Sequence, residues 1–339
     1  LIKKEINPQS METVNKIMAE LKGKKDKSSI EKICSLSMLN ENDEEKIKAK
    51  SLANSERLGY EIVDLKNSKI LERLNIKGNV DKFNIYFDLM NQNKFDLESN
   101  ITINGFNLGF ERNSKYNKFG VTFNYTNSVL FDYNKKQKKL ATALGNNFGL
   151  SLYDKFEYNK GYVSLILGFD YLNKKIEREK DNYLNSSDII MNLNLEGGYK
   201  FVLPKNVSIE PFVGTNLLGY VRGSFDENIE FGYKADREKY LKANMTIGTR
   251  VRAQITDSWN LGGFISYTKY LTDPTLKLKA TLKEYDFKNT IKGISLEDNY
   301  IKYGFDARKK IKNNMEIQIS YMGKNIKTQG LGLGFKYEF

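Results

Sequence analysis

The sequence contains no histidine and only one cysteine, Cys34, among its 339 residues. The absence of histidine excludes Ser-His-Asp and Cys-His catalysis, zinc sites that use imidazole, and the commonest general base of enzymes. A single cysteine excludes a disulfide framework, and Cys34 falls on the apolar side of a helical pattern. We therefore predict that the chain is not an enzyme and holds no metal ion and no cofactor.

Long hydrophobic runs are also missing, since no stretch of eighteen apolar residues occurs and the mean hydropathy is −0.56. Membrane-spanning helices are therefore excluded. A transmembrane β-barrel is compatible with such a composition, because only every second residue of its strands faces lipid. The 20 phenylalanines and 21 tyrosines fall mostly after residue 80, in alternating runs. This bias fits lipid-facing strands, and it also fits a soluble all-β protein.

The formal net charge of +12 is compatible with a nucleic-acid partner, because basic surfaces bind phosphate. The lysines, however, cluster in polar stretches such as residues 135–139, and acidic residues are mixed among them. No aromatic-rich groove motif accompanies the lysines. The pattern favours solvated loops, so we predict no nucleic-acid partner.

Residues 1–77 have the apolar spacing of helices, and Val14, Ile17 and Leu21 mark one helical stripe. Capping patterns precede each helical stretch, and the last helix is predicted to run from about Asp43 to Leu74. A helix that is polar on several sides is either solvated or surrounded by polar walls. Its charged residues include Arg57, Glu61, Asp64, Lys66, Lys69, Glu72 and Arg73.

After Gly78 and Asn79 the apolar period changes to two and stays there. Twelve strands are predicted, which is an even number and would close a barrel with both chain ends on the same side. The predicted strands are 82–92, 99–112, 116–131, 145–158, 160–173, 188–203, 206–220, 240–255, 258–272, 298–311, 314–323 and 329–339.

The connections after even-numbered strands are tight turns, for example at residues 113–114 and 312–313. The connections after predicted strands three, five, seven and nine are long and polar, and they lie at about 132–144, 174–187, 221–239 and 273–297. Outer-membrane barrels have short turns at the periplasmic rim and long external loops, whereas a soluble sandwich has no reason for so regular an alternation. We therefore expect the long loops outside the cell.

One face of the strands is apolar and the other carries charges, as where Met245, Ile247 and Val251 alternate with Arg250 and Arg252. A dry core could not accept unpaired arginines and glutamates, so the charged face is predicted to line a polar lumen. The lumen-facing candidates are Glu196, Glu210, Arg250, Arg252, Lys302, Asp306, Arg308, Glu316 and Lys336.

The chain ends on the alternating strand LGLGFKYEF, with its apolar face made of leucines and aromatics. Gly334, Tyr337 and Phe339 resemble the C-terminal assembly signal of bacterial outer-membrane barrels. An ordinary closing strand of a soluble sandwich is the alternative. An outer-membrane location would make this chain the mature C-terminal part of something longer.

Nearly the whole chain resembles the translocator domain of autotransporters, the type V secretion family. The helical lead-in opens with Asn7 and Pro8 and continues through SLANSERLGYEIVDLKNSKILERL. The barrel segments GFNLGFERN, FGVTFNYTNS and TIGTRVRAQITDSWNLGGFISYTKYL follow the family's order of strands. Each motif is weak alone, and their order and spacing are more specific. The high lysine content and the long 273–297 loop depart from the family pattern.

The resemblance implies a protein of the bacterial outer membrane that exports an N-terminal passenger and anchors it at the cell surface. Its partners would be that passenger, outer-membrane lipid, lipopolysaccharide and the barrel-assembly machinery. The implied domains are a junction at 1–42, a pore-spanning helix at 43–77 and the barrel at 78–339. Some family members cleave themselves at an asparagine in the pore, so Asn54 and Asn67 are formal candidates, although nothing local marks either as activated.

Dimensions agree with a helix inside the barrel. Residues Leu58 to Leu74 would span about 25 Å as a helix, which matches a lipid-facing band about 25 Å tall. The predicted fold is thus an all-β membrane protein, a 12-stranded antiparallel transmembrane barrel whose preceding helix plugs the lumen. A helical stalk outside the barrel, a diffusion porin, a small ligand-binding barrel and a soluble interaction protein remain as alternatives.

Overall fold

The computed structural model describes residues 44–76, 80–134, 136–179, 182–229, 232–283 and 287–339. The predicted junction helices of residues 1–42 lie outside these ranges. No helix among the described residues is long and apolar enough to span a membrane.

Two helices precede the strands: α1 is Glu44–Asn54 and α2 is Arg57–Leu74. The prediction of one continuous helix from Asp43 was wrong, because Ser55 and Glu56 form a turn. Around this turn the backbone bonds become i to i+3, as from the Glu56 N–H to the Ala53 oxygen at 3.2 Å. The Ser55 hydroxyl donates to the Leu52 oxygen at 2.8 Å, the same kind of bond that Ser51 makes to Lys48 within α1.

Seventeen strands are described, and they follow the helices in chain order. Their bounds are β1 Lys82–Phe95, β2 Ser99–Asn113, β3 Asn117–Tyr133, β4 Lys139–Tyr158, β5 Gly161–Glu179, β6 Asn182–Tyr199, β7 Phe201–Leu203, β8 Val207–Arg222, β9 Phe225–Asp226, β10 Tyr233–Ala235, β11 Glu238–Gln254, β12 Trp259–Tyr270, β13 Thr275–Leu282, β14 Phe287–Ser295, β15 Asn299–Lys312, β16 Met315–Lys324 and β17 Thr328–Glu338.

Twelve long strands form one closed antiparallel barrel, which confirms the predicted fold class. Its order is β1 to β6, then β8, β11, β12, β15, β16 and β17, and β17 pairs back to β1. The short strand β7 continues β6 after a break at Lys200 and also pairs with β8. Because every long strand has two neighbours, the barrel has no free edge.

The register fixes the tilt and width of the barrel. Register partners can be followed from Ser187 on β6 around all twelve strands. The path returns to the starting side of the barrel at Phe201 on β7, fourteen residues after Ser187 in the chain. With about 3.3 Å per residue and about 4.8 Å between strands, this stagger implies a tilt of about 39° and a backbone radius of about 12 Å. After the inward side chains are placed, the remaining space is about as wide as one helix.

The two faces of the wall are the reverse of those of a soluble protein. Phe110 on the outer face of β2 is 53% exposed, whereas its neighbour Glu111 on the inner face is 2% exposed. The same alternation places exposed leucines and aromatics outside and buried asparagines, threonines and charges inside around the barrel. An apolar exterior around a polar interior is the arrangement expected of a barrel in a bilayer.

The last two predicted long loops contain structure of their own. Strands β9, β10, β13 and β14 form a four-stranded sheet that packs on α1, and we call this sheet the cap. The cap follows from alternation in β13, where Leu276, Leu278 and Leu282 are buried and Lys277 and Lys279 face out. The first two long loops are shorter than predicted, because β4, β5 and β6 extend into 132–144 and 174–187.

Candidate functional site

Helix α2 lies inside the barrel and runs from the rim with the cap to the rim with the short turns. At its beginning, Arg57 Nη1 donates to Ser99 Oγ at 2.8 Å, at the top of β2. At its end, Lys118 Nζ donates to the backbone oxygens of Arg73 and Ile76 at 2.7 and 3.1 Å. A cation on the last carbonyls complements the helix dipole. Eighteen residues of helix span about 27 Å, close to the height of the lipid-facing band.

The lumen around the upper half of the helix holds an apolar cluster as well as buried ions. Leu58, Ile62 and Leu65 belong to one buried cluster with inward residues of the wall such as Leu130 and Ile190. Sequence reasoning treated the whole lumen as polar and missed this cluster. A usable signal was present, because the stretch VLF at 129–131 is apolar on both faces of the strand.

Gly59 lets the helix backbone approach the wall closely. A Cβ atom at this position would lie 2.6 Å from Ile190 Cδ1 and 2.8 Å from Tyr220 Cε2, which is closer than Cβ contacts allow. Tyr220 in turn stacks on Tyr60 of the helix, with ring centroids 5.4 Å apart. The helix is therefore packed against one wall rather than suspended in the lumen.

The central pairs of charges are completely enclosed. Lys66 of α2 donates to Asp170 of β5, and both side chains are 0% exposed. Asp170 also accepts a bond from Asn147 Nδ2 at 3.0 Å. Glu61 of the helix accepts from Lys94 Nζ at 2.9 Å and lies 3.5 Å from Lys324 Nζ. Each ion thus has an opposite charge, as an enclosed ion requires.

Nearer the short-turn rim, Arg73 makes a bidentate pair with Asp88 of β1, at 2.6 Å from Nη2 to Oδ1 and 3.1 Å from Nε to Oδ2. Its guanidinium also lies 4.3 Å from the ring centroid of Tyr86. Gly334 faces inward at this level, where a Cβ would lie 2.5 Å from Asp88 Oδ1. The glycine therefore makes room for the ion pair.

The other charged residues of α2 also have partners on the wall. Asp64 pairs with Lys302 at 2.9 Å, Lys69 donates to Ser320, and Glu72 accepts from Gln318. The acids of the helix were expected to meet arginines, but Glu61 and Asp64 meet lysines. Most wall partners lie outside the predicted set. They are Asp88, Lys94, Ser99, Asp170, Gln318, Ser320 and Lys324.

All nine predicted lumen-facing residues lie on inward positions of their strands. Lys302 is the one of these nine that pairs with α2, whereas Arg250 pairs within the wall, with Glu196 at 2.6 Å and Glu210 at 3.2 Å. Asp306 pairs with Arg308 at 2.8 Å, and Glu316 stands opposite Lys336 in the register. Arg252 is half-buried and makes no ion pair with the described residues.

These wall pairs border a cavity on the side of the lumen that α2 leaves open. The cavity has a volume of about 140 Å³ and lies between the helix and strands β8, β11, β12, β15 and β16. Its lining combines charged and amide side chains, such as Asp64, Asn67, Arg250, Arg252 and Lys302, with apolar and aromatic ones. It has room for a few water molecules but not for a second helix or a polypeptide strand.

The cap closes the lumen above α2. Asn54, at the end of α1, donates to Asp132 at 3.1 Å and accepts from the Ile294 N–H of the cap at 2.7 Å. Glu227, beside β9, holds Arg178 of the barrel in a bidentate pair at 2.7 and 2.5 Å. Helix, cap and barrel are thus joined by buried bonds.

Both formal self-cleavage candidates have hydrogen-bonded side chains. Asn54 is held on both sides of its amide by Asp132 and the cap. Asn67 is 3.1 Å from Asn192 and 3.5 Å from Asn216, in a group of amides. In both residues the side chain has a hydrogen-bonding role in holding the helix.

The C-terminal residues close the barrel. The Phe339 N–H donates to the Phe83 oxygen at 2.9 Å, and the rings of Tyr337 and Phe339 meet edge to face outside the barrel, 5.0 Å apart. Gly334, by contrast, faces the lumen. The end of the chain therefore packs against β1, and this structural role is separate from any role as an assembly signal.

We predict that Lys66→Met lowers the stability of the folded chain, because it leaves Asp170 enclosed without its cation. Removing one partner of a buried pair costs about 3–5 kcal/mol. The urea midpoint of unfolding, followed by gel mobility without heating, measures the change. The double variant Lys66→Met with Asp170→Asn is the control, and it should recover much of the loss. Equal midpoints for the wild type and Lys66→Met would contradict the pairing.

Comparisons with known proteins agree with this geometry. Residues 87–322 match the family model described as the autotransporter beta-domain. The fold is similar to the translocator domain of the autotransporter NalP from Neisseria meningitidis, at 12% identity and a TM-score of 0.68, with 85% of this chain and 98% of that chain covered.

Two further solved structures have the same fold at low identity. The beta domain of the Bordetella autotransporter BrkA has 12% identity and a TM-score of 0.54, over 76% of this chain and all of the other. The transport unit of the autotransporter AIDA-I from Escherichia coli has 14% identity and a TM-score of 0.52, over 78% and 92%. No sequence among the curated proteins matches this chain. The family model covers more than half of the chain, and the chain therefore belongs to the autotransporter β-domain family, the outer-membrane translocator domains of type V secretion.

Proposed function

We propose that this translocator domain exports its own N-terminal passenger, anchors it at the cell surface and then seals the pore with α2. The direction of α2 carries the proposal. The helix begins at the cap rim and ends at the short-turn rim, so the chain that precedes α1 starts from the cap side. If the cap faces outward, the passenger stands outside the cell while the barrel stays in the membrane.

The buried contacts of α2 support a plug that stays in place after export. Its charges are paired, its upper half is packed on an apolar wall, and the cap closes over α1. We infer three functional parts, a junction at 1–42, a pore helix at 43–77 and a barrel at 78–339. The solved structures of NalP and AIDA-I are a translocator domain and a transport unit, which is consistent with this role.

The porin and ligand-binding alternatives both need an open lumen. The cavity beside α2 is about 140 Å³, whereas ligand pockets are usually about 300–1,000 Å³. We therefore place export ahead of diffusion or small-molecule binding. We assign no catalytic activity, and Asn54 and Asn67 are proposed to hold the helix rather than to cut it.

Three partners besides the passenger complete the proposal. The exposed apolar wall would contact outer-membrane lipid, and the rim beneath the cap would contact lipopolysaccharide. Gly334, Tyr337 and Phe339 would be recognised by the barrel-assembly machinery. Tyr337 and Phe339 face outward at the closing strand, where another protein could reach them before the barrel closes.

We predict that the full chain conducts ions weakly in planar bilayers and that a shorter chain starting at Asn79 conducts strongly, because the shorter chain lacks α2. A chain starting at Glu44 keeps both helices and is the control, which should conduct as weakly as the full chain. A large, steady conductance shared by all three would show that the helix does not seal the pore.

We predict that deletion of Phe339 lowers the amount of inserted barrel in cells far more than it lowers refolding in detergent, because only cells contain the assembly machinery. Phe335→Ala removes another outward aromatic of β17 away from the chain end and serves as the control. Insertion and refolding are measured by the heat-dependent gel shift. Equal losses in both settings would leave Phe339 with a packing role alone.

We predict that the cap rim faces outward from the cell. In a Cys34→Ser background, Lys136→Cys or Lys283→Cys should react with an impermeant maleimide on intact cells. Asn206→Cys and Asn313→Cys lie at the short turns and are the controls, which should react only after the outer membrane is opened. Labelling of the short turns alone would mean that the orientation is inverted.

A further inference from the structure

A continuous row of polar side chains crosses the outer face of six neighbouring strands, β1 to β6. Each residue is the direct register partner of the next one, and each faces away from the lumen. We call the row the amide ladder, and it consists of Asn91, Asn104, Asn127, Asn146, Asn173 and Ser187. Asn91 is half-buried and the other five are exposed. Amide side chains in a row on an otherwise apolar outer wall require hydrogen-bonding partners for their NH₂ and carbonyl groups.

The height of the ladder places it at one edge of the lipid band. Asn91 lies nine residues above Lys82, the lower end of β1, which is about 23 Å along the barrel axis at the tilt of about 39°. The lipid band is about 25 Å tall. Each step toward β6 rises by about 3 Å, so the ladder climbs about 15 Å to Ser187. It therefore starts at the boundary of the bilayer on the cap side and continues above it.

The hydrogen bonds within the ladder leave regularly spaced donors. Asn91 Nδ2 donates to Asn104 Oδ1 at 2.7 Å, and Asn127 Nδ2 donates to Asn146 Oδ1 at 2.9 Å. Ser187 Oγ donates to Asn173 Oδ1 at 2.7 Å. In each bonded pair the accepting asparagine keeps its NH₂ group, which has no acceptor among the described residues. Three exposed amide donors thus point outward, on β2, β4 and β5.

Aromatic rings lie directly below the ladder, and a cation lies directly above it on β5. The register row beneath contains Phe106, Tyr125, Phe148 and Tyr171. The row above contains Val129, Leu144 and Lys175, and Lys175 Nζ lies 3.8 Å from the ring centroid of Tyr183. On β5 the wall therefore offers a ring, then an amide, then a positive charge.

The opposite wall does not continue the pattern. From Asn91 the same register line passes to Leu331, Tyr321 and Phe305, which lie lower on the barrel. Gln329 on β17 is the register partner of Asn93 on β1 and lies beside the ladder, whereas Asn299 on β15 is separate from it. The ladder is thus a feature of one side of the barrel.

We propose that the amide ladder binds the phosphorylated sugar head group of an outer-leaflet glycolipid, the chemistry of lipopolysaccharide. The amide NH₂ groups would donate to sugar hydroxyls and to the carbonyls that link the acyl chains. Phe106 and Tyr125, the two lowest rings of the row, would contact the acyl chains, and Lys175 would meet a phosphate. The ladder is continuous with the lipid-facing wall, which argues for a lipid, and the cation above it argues for a phosphate. The site rests on the proposed orientation, with the cap outside.

Native mass spectrometry of the full chain in detergent, titrated with bis-phosphorylated lipid A, tests the proposal. Asn146→Ala with Asn173→Ala should weaken binding at least fivefold. Asn299→Ala is the control on the opposite wall and should bind like the wild type. Lys175→Gln should bind bis-phosphorylated and dephosphorylated lipid A equally, whereas the wild type should prefer the phosphorylated form. The gel shift without heating confirms that each variant is folded.

Several outcomes would overturn the proposal. Equal loss of lipid A and phosphatidylethanolamine in the ladder variant would mean a general lipid boundary without a glycolipid site. Unchanged binding of lipid A would mean that the amides make no contact with the head group. A dimer of this chain that the ladder variant abolishes would assign the ladder to a second copy. Ion conductance and passenger export are measured separately. A negative result for the glycolipid site would therefore not bear on the export function, which has its own tests.

Discussion

The structure depends on one electrostatic constraint, that a helix charged on several sides is enclosed by a protein wall. Enclosed ions are costly unless each has a partner, and the wall supplies one at every level of α2. Asp170 holds Lys66 in the middle, Asp88 holds Arg73 near the short turns, and Lys94 and Lys324 meet Glu61. Partners on several strands hold the helix at one depth and one rotation. The same pairs can separate in contact with water, because their members are ordinary soluble ions once hydrated.

The geometry of the barrel explains why one helix is enough. Twelve strands staggered by fourteen residues give a radius of about 12 Å, and inward side chains reduce this to the width of one helix. Glycines adjust the fit where the helix comes closest, as Gly59 does against Ile190 and Tyr220 and Gly334 does beside Asp88. The apolar cluster and the ion pairs then give the plug two kinds of contact. The cap adds a third, because α1 is packed beneath it.

Much of the architecture could be predicted from local patterns. The alternation of apolar and polar residues from residue 82 onward predicts strands. The regular succession of short and long connections predicts an antiparallel barrel with two unlike rims. The helix length and the barrel width predict a plug, because both follow from fixed repeat distances. Local patterns failed where a neighbour decides the outcome. A turn at Ser55 and Glu56 divides the predicted helix, and β13 becomes a strand of the cap because α1 lies under its leucines.

The sequence by itself determined the faces of the elements. It showed which residues of each strand point inward and that α2 carries charges all around. It could not assign the partners of those charges, because a pair such as Lys66 with Asp170 or Arg73 with Asp88 depends on the stagger of the strands and on the depth of the helix. The amide ladder was hidden for the same reason. Its asparagines are far apart in the chain, and only the register of six strands places them in one row. Alternation is a local property of a strand, whereas register and helix depth are set by packing across the whole barrel.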